Sequence, residues 1–190
     1  MATTNGLPSA RFGIKEVADV TFYKIKKGTD GAATKGEPVL KLDTLKVSTI
    51  EFTAEQSEAR GGKGNPPLII WDYGREINVT LEDALLSMES LALMFEGDVT
   101  NADGTITISA NTYPGTYYVE GTTFARDEVT GDDDVFTFTI PKAKIQSENT
   151  LTMEAEGDPT VFNMSLRVLR DIDGTMMKLE KTPKASKPQG

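Results

Sequence analysis

The chain of 190 residues carries 20 basic and 29 acidic side chains, a formal net charge of −9, and 38% hydrophobic residues, with no histidine or cysteine. The length and apolar content suit one domain with a sizeable core, while the missing residue types exclude disulfides, ordinary zinc sites, thiol nucleophiles and every histidine-dependent triad or general base. An acidic chain is also a poor match for phosphates, because affinity for nucleic acid comes from basic groups that displace counterions, so tight DNA binding is not expected.

In chain order, residues 1–13 read as an irregular arm containing Gly6, Pro8 and Gly13, without the apolar centre of a signal peptide; a soluble product made without export is expected. Glu16 to Lys26 reads as a strand, with Val20 and Phe22 on one face and Tyr23 and Ile25 on the other. Gly28 to Gly36 is a polar turn. Pro38 to Thr53 is a long strand whose apolar register slips from Leu40 and Leu42 to Leu45 and Val47, then to Ile50 and Phe52, as bulges in a twisted sheet would produce. Ala54 to Pro67 follows as a long polar loop.

Leu68 to Tyr73 is a short apolar and aromatic strand around Trp71, and Asp72-Tyr73-Gly74 supplies turn chemistry for a hairpin. Arg75 to Leu81 then alternates, with Ile77, Val79 and Leu81 on one face. There the period changes to that of a helix over residues 81–96, whose packing face is Leu81, Leu85, Met88, Leu91 and Phe95. Thr80 with Asp83 resembles a capping box, Glu82 and Asp83 suit the positive end of the helix dipole, and Gly97 can end the helix. Such a helix needs a sheet to receive its apolar face, since alone it would be marginal.

Thr105 to Ser109, Thr116 to Thr123, Val135 to Ile140, Lys144 to Ser147, Thr150 to Ala155, Thr160 to Asp171 and Met176 to Leu179 continue as strands, with an acidic turn at Asp127 to Asp134. Residues 178–190 form a basic tail, net +3, which leaves −12 on the remainder. The expected organisation is a mainly β domain over residues 14–177, a β-sandwich or partly open β-barrel with one flanking helix, and residues 54–67 as an inserted long loop.

No catalytic constellation emerges. Gly61-Gly62-Lys63-Gly64-Asn65 lacks the Ser or Thr after lysine and the leading strand of a phosphate loop. Asp132, Asp133 and Asp134 with Glu128, and Asp171-Ile172-Asp173-Gly174, lack the alternating ligands and distal glutamate of a calcium loop. Both read as turns, and Glu82 and Asp83 are explained by the helix start. No metal, cofactor or enzymatic activity is expected.

Over Gly61 to Gly97 the order of a polar RGGKGNPPL loop, the strand LIIWDYG, the strand REINVTL and the helix EDALLSMESLALMFEG resembles the tail tube (major tail) proteins of bacteriophages and related contractile injection tubes. Ile140 to Leu169 resembles the closing strands of such proteins. The resemblance implies hexameric rings that stack into a hollow conduit for the genome. Its partners would be further copies and other tail proteins such as tape measure, terminator and sheath. DNA would pass without specific binding, no membrane would be involved, and the particle would be a virion tail assembled in the host cytoplasm. The arm, the loop and the tail are then expected to bridge rings, with Arg60, Gly61, Gly62, Lys63, Gly64 and Asn65 as the inter-ring contact, and the acidic surplus suggests a negative channel wall. The residues leave open another non-enzymatic β-module, such as a decoration, baseplate or carbohydrate-binding protein. Trp71 and most aromatics fall within expected strands, which points them to core and interface. A metal-dependent hydrolase built on the acidic turns is the third class.

Overall fold

The computed structural model describes residues 11–14, 16–95, 98–100, 105–147 and 162–183. Eleven strands and one helix occur among them: β1 Phe12–Ile14, β2 Asp19–Lys27, β3 Ala33–Leu42, β4 Leu45–Arg60, β5 Pro67–Asp83, α1 Met88–Phe95, β6 Asp98–Thr100, β7 Thr105–Thr107, β8 Thr116–Asp127, β9 Asp133–Ile145, β10 Phe162–Val168 and β11 Lys178–Thr182. The mainly β class with a single helix agrees with the sequence. The architecture is a large antiparallel sheet, ordered β3-β2-β8-β9-β10-β5-β4, which remains open and does not close into a barrel; β6 and β7 form a separate pair.

The long hairpin β8–β9 is the spine. Along one margin of β8 lie β1, against Ala125 to Asp127, and β2, against Tyr118 to Thr122. Along the opposite margin of β9 lie β11, against Val135 to Thr139, and β10, against Ala143 to Ile145. Alternation then decides the core: Val20 and Phe22 of β2, Leu40 and Leu42 of β3, Val119 of β8, Phe138 and Ile140 of β9, Met164 and Leu166 of β10, and Ile77, Val79 and Leu81 of β5 share one buried face. For β2 and β5 to meet in one core the sheet must curl, and Ser48 and Ile50 of β4 accordingly line a cavity together with Ile14, Glu16, Val17 and Ala18.

Pro38 to Thr53, expected as one strand with two slips, is two strands: β3 ends at Leu42 and β4 begins at Leu45 at the opposite end of the sheet order, so the first slip is a strand break, and no shift falls between Val47 and Ile50. Bulges occur at other positions. The β2–β3 register shifts on either side of Tyr23, and the β4–β5 register shifts near Leu45, Thr53 and Ala59. Val135 to Ile140 and Lys144 onward, expected as two strands, are one: β9 runs through Pro141, where the register against β8 shifts between Tyr117 and Val119. A bulge tolerates the missing N–H of proline, so the strand need not end.

Four further expectations are corrected. The helix does not begin at Leu81. Leu81 and Asp83 stay in β5 because both of its margins are occupied there, by β4 and by β10, and Leu85 is exposed in the connection. The helix starts after Ser87, whose Oγ accepts the Ser90 N–H at 3.0 Å while Ser90 Oγ accepts the Ser87 N–H at 3.1 Å. Serine thus performs the reciprocal capping usually given to glutamate. Thr80 is mid-strand, and buried Asp83 instead accepts from the Thr44 hydroxyl. In α1 the buried residues are Ser90, Leu93 and Met94, so the packing face is rotated from the expected one: Phe95 packs on the core from a half-buried position, Leu91 is half-buried and Met88 exposed.

The second correction concerns Asp72-Tyr73-Gly74, which is not a turn: β5 passes straight through it, with Gly74 at φ +63° absorbing a bulge opposite Glu55. Third, the long loop is mostly strand, since Ala54 to Arg60 belong to β4 and only Gly61 to Pro66 turn. Fourth, Phe12 and Gly13 of the expected arm form part of β1, and Lys178 to Thr182 of the expected tail form β11. The strand expected at Thr150 to Ala155 and the cap at Gly97 lie outside the described residues.

Candidate assembly surface

β4 and β5 are more than twice as long as the stretch of β5 that β10 covers. β10 pairs only with Asn78 to Asp83, whereas β4 follows β5 to Pro67. Beyond Ile77 the two strands therefore leave the sheet as a two-stranded arm. On one face lie Ile69, Trp71 and Tyr73 opposite Ala59, Ser57 and Glu55, and on the other Leu68, Ile70 and Asp72, the last two opposite Glu58 and Gln56. Leu68, Ile69, Ile70, Trp71 and Tyr73 are all at least half exposed, Leu68 reaching 64%. A continuous apolar run in a strand is the pattern of a segment covered on both faces. The described residues cover neither.

The tip is built for close approach. Gly62 and Gly64 have φ of +84° and +88°, and Asn65 also lies in the left-handed region at +51°. Asn65 N–H donates to the Gly62 carbonyl at 3.1 Å and Gly61 N–H to the Pro66 carbonyl at 3.3 Å. Arg60 is held by Glu58 at 2.6 Å and Gln56 by Asp72 at 2.8 Å. The six residues expected as a contact loop thus form one connected, exposed or half-exposed tip carrying two cations, Arg60 and Lys63. The packing-face residues expected beside them are not gathered there: Leu81 sits in the core and Met88, Leu91 and Phe95 on α1.

Two grooves open on the surface, one at the root of the arm. At its root, Phe52, Arg75, Ile77, Met176, Met177 and Leu179 enclose about 370 Å³. At the mouth of the curl, Ile14, Glu16, Val17, Ala18, Ser48, Ile50, Thr123, Phe136 and Phe138 enclose about 290 Å³. The mouth groove was not legible in the sequence, where Ile14 and Val17 have no assigned partner; their exposure of 54% and 40% marks them as unfinished core.

The acidic turns are structural clasps. Asp127 accepts the Val129 and Thr130 N–H groups at 2.8 and 3.1 Å, and Lys181 reaches Asp134 at 2.9 Å and Asp127 at 3.3 Å. Backbone donors from Thr130 and Val129, helped by Lys181, hold the Asp127 carboxyl below the usual carboxylate range, and Asp134 foremost raises Lys181. Asp133 is bound by Arg126. Asp171, buried, bonds Lys142 at 2.9 Å and accepts the Ala33 N–H at 2.8 Å, and those two partners, Lys142 foremost, lower its pKa. These carboxylates tie strands together.

No curated protein matches the chain. Among solved structures it is similar to a chain of the PVC sheath-tube complex of an extracellular contractile injection system in the extended state, at 14% identity and TM-score 0.46, covering 94% of this chain and 95% of that one. It is also similar to the tube-terminating cap of the anti-feeding prophage, at 13% identity and TM-score 0.47, covering 96% and 100%, and to a chain of the anti-feeding prophage baseplate, at 15% identity and TM-score 0.40, covering 95% and 97%. A family model matches residues 12–103 and 97–179, together spanning β1 through the start of β11, and the chain belongs to the YomU/Tube protein family.

Proposed function

We propose that this protein is a structural subunit of a tail tube, forming hexameric rings that stack into a hollow conduit. The observation that carries the reading is the arm: a two-stranded ribbon is marginal in water, yet this one exposes five large apolar side chains on two faces, so its cover comes from neighbouring copies. The sheet supports the same reading through two margins, the outer edges of β3 and β4, that no other described strand pairs with. β3 is blunted by Pro38 and Lys35, whereas β4 runs sixteen residues without a proline. Joining such margins between subunits removes them by closure, and four strands from each of six copies give about two dozen, wider than barrels of 16 to 22 strands that already enclose large lumens.

In this role Arg60 to Asn65 make contacts between subunits or rings, and other tail proteins, including tape measure, terminator and sheath, meet the tube's ends and outer wall. The particle is a tail or injection device assembled in the host cytoplasm. The acidic surplus favours a negative lumen past which DNA slides; a positive potential computed along the lumen of an assembled ring would contradict this. Deleting Ala59 to Asn65 is expected to leave a folded subunit, because none of these residues belongs to the core, and to abolish polymers in electron micrographs. Normal tubes from that deletion would refute the arm's role.

A second reading, a carbohydrate-binding module, has one observation in its favour: Trp71 and Tyr73 share a face and are exposed, as stacking platforms for sugar rings must be. Tryptophan emission insensitive to oligosaccharides would set it aside.

A further inference from the structure

We propose that the mouth groove of one copy receives the arm of a second copy, with Trp71 as the anchor. The proposal rests on the tube-subunit reading and names the receptor surface within it. The groove is the gap where the curled sheet's margins approach without touching, walled by Ile14, Val17, Ile50, Phe136 and Phe138. At about 290 Å³ it is large enough for one indole side chain and a flanking aliphatic one. The arm presents that pairing on a single face, Trp71 beside Ile69.

Charge agrees with shape. The tip carries Lys63 and Arg60, the latter held by Glu58, while the groove carries Glu16 and, beside it, Asp19 paired with Lys41. A copy cannot fill its own groove. Trp71 is paired with Ser57, nine residues along β4 from Ser48 in the groove wall, which is roughly 30 Å at strand spacing. The surfaces that meet are different, so the contact is head-to-tail and propagates: it closes into a ring if the rotation per copy allows and otherwise extends as a filament. Arm against arm would be a symmetric contact that leaves the groove open.

The chain has no cysteine and one tryptophan, so two labels read the contact without background. Ser57→Cys, which faces the same side of the arm as Trp71 and leaves the anchor in place, and Ser48→Cys are made singly, checked for wild-type circular dichroism and urea midpoint, mixed in equal amounts and oxidised. Disulfide dimers are expected from the mixture and not from either variant alone, and the double variant should give a ladder of multimers, since the two sites in one chain are too far apart to bridge. Dimers from Ser57→Cys alone would overturn the proposal in favour of a symmetric contact. An uncrosslinked mixture, with wild-type rings or tubes visible in micrographs, would overturn the groove assignment and leave the tube reading intact; a wild-type chain that stays monomeric would overturn both. Trp71 emission in the intact protein is expected to shift to the blue as concentration rises, and Val17→Asp, at an exposed groove position, should abolish that shift. Persistence of the shift in Val17→Asp would count against the groove.

Discussion

An added Cβ at Gly121 would lie 2.1 Å from the Phe138 ring, which is seated directly across the β8–β9 ladder. Gly121→Ala should therefore destabilise the subunit by about 1–3 kcal/mol, as overpacking of a core does. Adding Phe138→Leu should recover part of the loss, read as a coupling in urea denaturation. The sequence shows Gly121 only as a glycine inside a strand; the reason for it is a ring that arrives from seventeen residues away. Asp171 tests electrostatics at the same scale. Its pKa is lowered in the folded protein, so its contribution is present in full above the ordinary carboxylate value of about 3.9 and is lost as pH falls from there toward the depressed folded value. Urea midpoints from pH 7 to pH 2 should fall more steeply for the wild type than for Asp171→Asn; parallel curves would deny the carboxylate that role.

At the scale of elements, the alternating strands β2, β8, β9 and β10 were legible because one face of each is core and the other solvent, the condition that writes a period of two into a sequence. The β5 to α1 junction was not. Leu81, Leu85 and Met88 keep helical spacing by coincidence across a strand end, an exposed connection and a helix start, and local pattern cannot show that β10 occupies the margin of β5 as far as Asp83. The helix start lies at Ser87, and Ser87→Ala should cost about 1 kcal/mol of stability, measured by thermal unfolding, whereas Thr80→Ala, mid-strand, should leave α1 unaffected. The arm was misread for the opposite reason. Glu55, Gln56, Ser57 and Glu58 look like loop because they are polar, and they are strand because Tyr73, Asp72, Trp71 and Ile70 give each a ladder partner.

For the whole molecule, the sheet explains what the domain can bury alone and what it cannot. The spine, β10 and the root of β5 enclose one core, while the arm, the mouth groove and the margins of β3 and β4 are left uncovered by the described residues. This division was partly visible beforehand, in the strand alternation that marks a core face on β2, β8, β9 and β10. The apolar run from Leu68 to Trp71 pointed only to core or interface, and its place on an exposed arm was not legible. Negative-stain electron microscopy of the purified wild-type chain at high concentration tests most directly the claim that other copies cover these surfaces. Sixfold rings or stacked tubes are the predicted result, and particles that remain single domains at every concentration would contradict it.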